Sequence, residues 1–403
     1  MGRISMRIAR VSTVPYMVAS QLVKQIETTI RSGASVTVIT SEGAKLDQLK
    51  SQLPSLKVIS VEIARPISIV KDIKALLRLF LIFRREKFDI VHSATPKAGL
   101  LSAIAARFAG VPVRLHTFTG QPWVHLNGPV RWLARWSDIL IGKLNTRCYA
   151  DSASQRQFLV EQGVIPARKL FVIGAGSLAG VDLTRFDAVR FSVQERLALK
   201  DKLKIPHNAP VLLFVGRITV DKGVRELIAA FRELKTRGST AHLIFAGPLD
   251  LEVGAAGGIS HRDIEVVPDT HAIGYTQIPE AYMAIADILC LPSYREGFGT
   301  VVIEAAAMGV PTVGTGIYGL SDAVVNGETG ILVPPQNSVA LTMALTDLLV
   351  DEKRRMQMGD AAKRRAERLF NANDVNGKVV EEYFHLLNDG KKEQKKNGGN
   401  TSY

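Results

Sequence analysis

Ala286-Asp-Ile-Leu-Cys-Leu-Pro292 runs, four residues later, into Glu296-Gly-Phe-Gly-Thr-Val-Val-Ile-Glu304. The first run reads as a strand and Thr300 to Met308 as a helix, which leaves Gly297 and Gly299 in the turn between them. Such a turn presents unpaired backbone N–H groups and the positive end of a helix dipole, a setting that suits a phosphate. Glu296 sits in the turn and Glu304 about one turn inside the helix. Both carboxylates can face one crevice, one for sugar hydroxyls and the other for a ribose. Earlier in the chain Val211-Leu-Leu-Phe-Val215 reads as a strand that opens into Gly216-Arg-Ile-Thr-Val-Asp-Lys222-Gly223, with the cations Arg217 and Lys222 between glycines. Diphosphate, ribose and sugar are the ligands this set of donors and acceptors fits.

Strand-like runs alternate with helical patterns along the whole chain, which argues for parallel α/β layers. In the first half the runs are Arg7–Val11, Val36–Thr40, Lys57–Val61, Ile90–His92, Val113–Phe118, Cys148–Ala150 and Phe171–Ile173. A polar stretch from Asp182 to Asn208 reads as a hinge and a leading helix. A second series follows: Val211–Val215, His242–Ala246, Ile264–Val267, Ile288–Leu291, Thr312–Gly314 and Ile331–Val333. Helical patterns at Asp351–Leu369 and Val375–Leu387 close the chain, and the Lys-rich tail after Asn388 reads as disordered. At 403 residues the chain suits two domains of about 150–200 residues each. The expected boundaries are 1–185 for the first and 186–370 for the second, with 389–403 as the basic tail.

Charge is unevenly spread. Residues 1–150 hold 22 Lys and Arg against 8 Asp and Glu, a net +14, whereas the remaining 253 hold 29 against 30. No helix-turn-helix, zinc or RNP-type pattern accompanies the basic half, so nucleic acid is not an expected partner. Anionic lipid or an anionic diphosphate acceptor explains the asymmetry better. Cys148 and Cys290 lie in apolar runs and read as core thiols, which fits a cytosolic address. No signal peptide is read after Met1 to Arg10, and the apolar stretch Ala75–Phe83 is broken by Arg78, far short of the ~20 residues that span a bilayer. The first strand is followed by Ser12-Thr-Val-Pro-Tyr16 without any glycine, so a nicotinamide or flavin enzyme is not expected.

The Glu-x7-Glu spacing and the Gly216–Gly223 segment resemble the donor site of the retaining glycosyltransferases of family 4. The resemblance covers nearly the whole chain and is strongest from Val211 to Pro334, including Gly314 to Pro334. It implies the GT-B fold: two Rossmann-like, doubly wound parallel-sheet domains facing a central cleft, with a C-terminal helix at about 371–388 returning to the first domain. It also implies a sugar-nucleotide donor held by Gly216, Gly297, Phe298, Gly299 and Thr300, with Glu296 on donor sugar hydroxyls and Glu304 on the ribose. Arg217 and Lys222 would neutralise the departing diphosphate, so no metal or other cofactor is expected. Ile278, in the segment His271 to Glu280, is the candidate wall for the base. In the first domain His116-Thr-Phe-Thr-Gly-Gln-Pro-Trp123 resembles the HTFHG-like run of bacterial polysaccharide transferases, whose histidine approaches the donor sugar.

Many family members carry a glycine pair in the first loop. Its absence here points to the subgroup acting on lipid-linked sugars, with Pro15, Tyr16, Lys97 and Gly120 as acceptor-side candidates. Where many members have Asn-Gly-Val-Asp, this chain has Ala179-Gly-Val-Asp182, so that asparagine's role does not transfer. The expected activity is transfer of a hexose or an N-acetylated hexosamine from a UDP-sugar to a saccharide on polyprenyl diphosphate. The setting would be bacterial surface polysaccharide (O-antigen, capsule or lipopolysaccharide), with the enzyme peripheral on the inner face of the cytoplasmic membrane.

Each residue has a plainer alternative. Arg217 and Lys222 read also as cations at a strand end, Glu296 as an acid stabilising a helix N-terminus, and Glu304 as a surface residue. Ile278 and Lys97 read also as loop residues, and His116 as a core or supporting histidine. The segment Ile67 to Phe88, with Ile69, Ile73, Leu76, Leu77, Phe80 and Leu81 among six cations, reads as an interfacial helix or as one packed on the sheet; Arg131-Trp-Leu-Ala-Arg-Trp136 is a second membrane-facing candidate. An epimerase or phosphorylase of the same fold is the alternative activity, and a nucleotide-sugar or lipid-binding module a third.

Overall fold

A computed structural model describes residues 6–43, 45–64, 68–124, 126–249 and 258–398. The chain forms two compact units, one of residues 1–180 with 372–403 and one of 181–371. The expected boundary near 185 moves back because the Val181 N–H donates to the Phe370 carbonyl at 2.7 Å and Val181 bridges Asn371, which ties it to unit 2.

Unit 1 runs β1 (Arg7–Val11), α1 (Pro15–Met17), α2 (Val23–Arg31), β2 (Ser35–Thr40), α3 (Lys45–Gln52), β3 (Lys57–Ser60) and α4 (Ile69–Glu86). It continues with β4 (Ile90–Ala94), α5 (Pro96–Phe108), β5 (Val113–Phe118), α6 (Gly128–Leu144), β6 (Arg147–Ala150), α7 (Ala153–Glu161) and β7 (Leu170–Phe171). All strands pair in parallel in the order β3-β2-β1-β4-β5-β6-β7. Helices cover both faces, so the strands are apolar on both, as buried parallel sheets require. On one face Leu79 and Phe83 of α4 and Leu101 and Ala105 of α5 pack on Ala9, Val11, Ile39 and Val91. On the other, Val379 and Tyr383 pack on Ile8, Ile90, Val113 and Leu115.

Unit 2 runs α8 (Val193–Lys202), β8 (Val211–Val215), α9 (Val224–Thr236), β9 (His242–Ala246), α10 (His261–Glu265), β10 (Thr270–Gly274) and α11 (Pro279–Met283). Then come β11 (Ile288–Leu291), α12 (Thr300–Ala307), β12 (Thr312–Thr315), α13 (Leu320–Ala323), β13 (Gly330–Val333), α14 (Ser338–Val350) and α15 (Glu352–Leu369). The parallel order is β10-β9-β8-β11-β12-β13. Val211, Leu212, Leu213 and Phe214 are fully buried. The last helix, α16 (Ala372–Gly398), belongs to unit 1.

Two expectations are corrected. Ile264–Val267 is not a strand. Ser260 and Asp263 form a capping box, each side chain accepting from the other's backbone N–H, which starts α10, and the strand forms later at Thr270–Gly274, where a loop was an open reading. The tail after Asn388 stays helical to Gly398; residues 399–403 lie outside the described residues, as does Ile67 of the amphipathic segment. Among the described residues no helix is long and apolar enough to cross a membrane. Cys148 and Cys290 are buried and unpaired, and burial pushes the Cys148 thiol up to about 12.

Candidate active site

In unit 2 the strand order reverses between β8 and β11, and the loops leaving their carboxyl ends lie side by side, where open parallel sheets bind ligands. A short 3-10 turn, Val220–Lys222, ends at Gly223 with φ +69°. A Cβ on Gly223 would stand 1.9 Å from the Pro292 carbonyl oxygen, so only glycine lets the two loops close. They are then laced together. The Tyr294 N–H donates to the Asp221 carbonyl at 2.9 Å, Arg295 to the Asp221 carboxylate at 3.0 Å, and the Tyr294 hydroxyl to Glu226 at 2.7 Å. Burial alone would raise the Asp221 pKa, but the Thr219 hydroxyl with Arg295, Lys222 and Arg217 holds it below the usual carboxylate range.

Across the same seam Lys222 Nζ pairs with Glu296 Oε1 at 2.5 Å, and Ser293 Oγ donates to that oxygen at 2.9 Å. The two charged side chains are only 20% and 14% exposed, so water screens them weakly. Arg217 is exposed on the loop just after Gly216. Gly297 is buried, and Phe298 turns its ring inward, edge-on to Phe370 at 5.1 Å, which leaves backbone as what this stretch can offer a ligand. Gly299 caps α12 in the left-handed region at φ +87°, and a Cβ there would meet Leu320 Cδ2 at 2.6 Å. Thr300 is the first helical residue, so the N-terminal N–H groups of α12 start here.

Glu304 lies partly buried one turn inside α12. Burial pushes its pKa up to about 7; Arg185 opposes the shift and the charge on Glu280 adds to it. Arg185 grips Glu280 with both arms of its fork, at 3.0 and 2.8 Å, and donates to the Gln277 carbonyl at 2.8 Å. That contact fixes the loop carrying Ile278, whose side chain is 56% exposed. The sequence reading missed Arg185, Glu280 and Ser293. Arg185 falls in the stretch read as a hinge, and Ser293 is an unremarkable polar residue after a strand; Glu280 stood in a quoted segment, with only its acidity as a signal.

The unit 1 candidates fare differently. His116 does not stand at a strand mouth: it lies inside β5, 1% exposed, with Nδ1 3.0 Å from Ser93 Oγ and its ring against Gly99 and Phe118. Burial pulls its pKa down to about 3, so it is a neutral core histidine, and its catalytic assignment is corrected. Lys97 is likewise not available as drawn, because its ammonium sits on both oxygens of Asp72 at 2.8 and 3.0 Å. Pro15 opens α1 and is buried, Tyr16 beside it is 50% exposed, and Gly120 follows β5 with φ +124°. The loops after β1 and β4 meet through Thr13 and Thr95, whose hydroxyl oxygens are 2.7 Å apart.

The model of the "Glycosyl transferases group 1" family matches residues 195–365, and that of the "Glycosyl transferase 4-like domain" matches residues 17–176. The chain belongs to the family 4 glycosyltransferases, with the GT-B fold. This glycosyltransferase is 29% identical over 351 residues to the capsular polysaccharide biosynthesis glycosyltransferase CapM of Staphylococcus aureus, covering 86% of this chain and 89% of that one. It is 26% identical to the UDP-Gal:alpha-D-GlcNAc-diphosphoundecaprenol alpha-1,3-galactosyltransferase of Escherichia coli, over 81% of this chain and 84% of that one. Among solved structures it resembles HepE of Anabaena in complex with UDP and glucose, with a TM-score of 0.77, 19% identity, and 94% and 99% of the two chains covered. Both matched models describe glycosyl transfer, which favours an enzyme of that class over the epimerase, phosphorylase and binding-module alternatives.

Proposed function

We propose that this glycosyltransferase moves a hexose or N-acetylated hexosamine from a UDP-sugar to a saccharide carried on polyprenyl diphosphate, with retention at the anomeric carbon. The product would be a bacterial surface polysaccharide (O-antigen, capsule or lipopolysaccharide), and the enzyme would work as a peripheral protein on the inner face of the cytoplasmic membrane. The observation that carries the donor half is the Lys222–Glu296 pair held across the two loops, with Arg217 on the first loop and Glu304 on the helix that the second loop starts. The name of the Escherichia coli relative supports the lipid-linked acceptor.

In this reading an entering diphosphate competes with Glu296 for Lys222. The lysine turns its charge to the phosphate, and the freed carboxylate accepts hydrogen bonds from the sugar. As the bond from the anomeric carbon to the diphosphate oxygen breaks, negative charge grows on that oxygen, and Arg217 and Lys222 stabilise it more than they stabilise the ground state. The acceptor hydroxyl approaches from the same face and gives its proton to the departing phosphate oxygen as the new C–O bond forms. That sequence uses the two cations in place of a metal ion and needs no carboxylate nucleophile. The backbone N–H groups at Gly299 and Thr300 would hold a phosphate, and Glu304, once ionised, would accept from the ribose diol.

Transfer assays over a panel of UDP- and GDP-sugars with a lipid diphosphate acceptor, in the presence of EDTA, test this reading. A product from one UDP-sugar whose anomeric configuration matches the donor supports it. An inverted product, a strict GDP-sugar preference or an absolute need for manganese would overturn the corresponding part.

A further inference from the structure

We infer that Arg185 is a positioning residue for the nucleotide: it pins the loop that carries Ile278, and its charge is shared between Glu280 and Glu304. This rests on the proposal that unit 2 holds a UDP-sugar through Ile278 and Glu304, and it names the residue on which both depend.

Arg185 is aimed by a short turn at the start of unit 2. The Thr184 N–H and hydroxyl donate to the Asp182 carboxylate at 3.1 and 2.6 Å, and the N–H groups of Arg185 and Phe186 donate to the Asp182 carbonyl at 3.0 and 2.8 Å. The guanidinium then lies 5.1 Å from the ring centre of the buried Phe186. From there Nε donates to Glu280 Oε1, while Nη2 donates both to Glu280 Oε2 and to the Gln277 carbonyl. The Arg185 side chain is 40% exposed but that of Glu280 only 7%, so the pair is anchored from inside. Three bonds from one planar fork fix a direction, which the single point charge of a lysine does not.

The loop so held enters through Gly274 at φ +67°. Gln277 is fixed by its carbonyl, and the Ile278 N–H donates to the Thr276 hydroxyl at 3.1 Å. Ile278 is therefore tied at the backbone while its side chain stays exposed. An apolar side chain on a tied loop meets a flat base without first being ordered, which is how preorganisation adds affinity.

The same cation bears on Glu304. Of the charged groups that act on that carboxyl, Arg185 favours the ionised form, and Glu280 and burial favour the protonated one. Without Arg185 only the influences that protonate Glu304 remain. A protonated carboxyl is a weaker acceptor for the ribose diol than a carboxylate.

The test is calorimetry of the full chain and of Arg185→Met, Arg185→Lys and Glu280→Gln with two probes, UDP and inorganic pyrophosphate. Pyrophosphate has neither base nor ribose, so it reports the phosphate loops alone. Arg185→Met should weaken UDP by about tenfold or more and leave pyrophosphate within about twofold. Arg185→Lys should regain part of the loss, since it returns the charge without the fork. Dividing each UDP affinity by the wild-type value at the same pH removes the nucleotide's own titration. On that ratio Arg185→Met should lose most above about pH 7, where only the wild type has Glu304 ionised. Glu280→Gln should move the ionisation of Glu304 the other way, and its ratio should be higher below about pH 7 than above it. Equal loss of UDP and pyrophosphate, or ratios that ignore pH, would make Arg185 a structural residue and overturn the inference. So would a wild-type preference for UDP over pyrophosphate that survives Arg185→Met. A wild-type protein without that preference would overturn the nucleotide reading itself, and this inference with it.

Discussion

The loops leaving β8 and β11 in unit 2 and those leaving β1 and β4 in unit 1 occupy the same topological position, yet they are built from different chemistry. In unit 2 the seam carries charge. Lys222, Glu296, Asp221 and Arg295 pair across it, and glycine at 223 is demanded by the approach of Pro292. In unit 1 the seam is neutral: Thr13 meets Thr95, and Ser12 donates to the Val14 carbonyl at 3.1 Å. Two histidines of unit 1, His92 and His116, are buried. His92 spans the Tyr383 hydroxyl and Thr117 at 2.7 and 2.8 Å, and burial depresses its pKa, as it does that of His116. One doubly wound sheet thus presents partly hydrated charge at its switch point, and the other presents hydroxyls and shape. The fold fixes where the loops of each sheet converge, while the residues in two short loops fix whether that place carries charge.

The sharpest way to break this contrast is to remove charge from one seam and a ring from the other sheet. Lys222→Ala should cut turnover by about a hundred- to thousandfold, by analogy with losing a transition-state donor, with a smaller change in UDP affinity. Arg217→Ala should act in the same direction. His116→Gln should instead keep turnover per folded molecule within a few-fold, as expected of a residue outside the chemistry. Steady-state kinetics with and without EDTA checks all three. A His116→Gln enzyme as dead as Lys222→Ala, yet stably folded, would restore the histidine to the site.

A second contrast concerns Glu304. Glu304→Gln should weaken UDP binding by about ten- to hundredfold at pH 8, the worth of a charge-assisted hydrogen bond. Its carboxyl is pushed up to about 7, so the wild-type advantage should shrink as pH falls through about 7, where the group takes a proton and loses its acceptor charge. Calorimetry of both proteins from pH 6 to 8.5 isolates this from titration of the nucleotide, which both share. A pH-independent ratio would remove Glu304 from the ribose.

Gly223→Ala comes next in size. Strain at a positive φ costs of order 1–3 kcal/mol, and here the loops must also part from Pro292, so a lower melting temperature together with weaker UDP binding is expected. Gly33→Ala, also at positive φ but with nothing near its missing Cβ, should lower stability alone.

The last effect is one of linkage. His116 is neutral when folded down to about pH 3 and titrates near 6.5 when unfolded. Between those values the unfolded chain holds more protons, so stability falls as pH drops, by up to about 1.4 kcal/mol per unit for this one residue. His116→Gln should flatten the dependence of melting temperature on pH between about 6 and 4.

Much of this molecule is legible in one dimension. The alternation of apolar runs with helical periods gave nearly every strand of both sheets, because burial of a parallel strand on two faces leaves a continuous apolar signature. Glu296, Glu304, Arg217 and Lys222 could be singled out because glycines at fixed offsets mark where the backbone must turn tightly. The miss at Ile264–Val267 has a local cause: an apolar run too short to show a period was claimed by the Ser260–Asp263 cap.

What the sequence by itself determined is therefore the order of layers, the placement of the two glycine-flanked loops and the sign of the charge in each half. Only the tertiary structure decided which side chains of those segments are used and which are spent. Residues 74 positions apart, Lys222 and Glu296, become a pair; Lys97 is taken up by Asp72; and His116 points into the core. The physical reason is that a strand alternates its faces every residue and a loop is closed by contacts distant in sequence. Burial, and with it the pKa and availability of each group, is a property of neighbours that the linear order does not name.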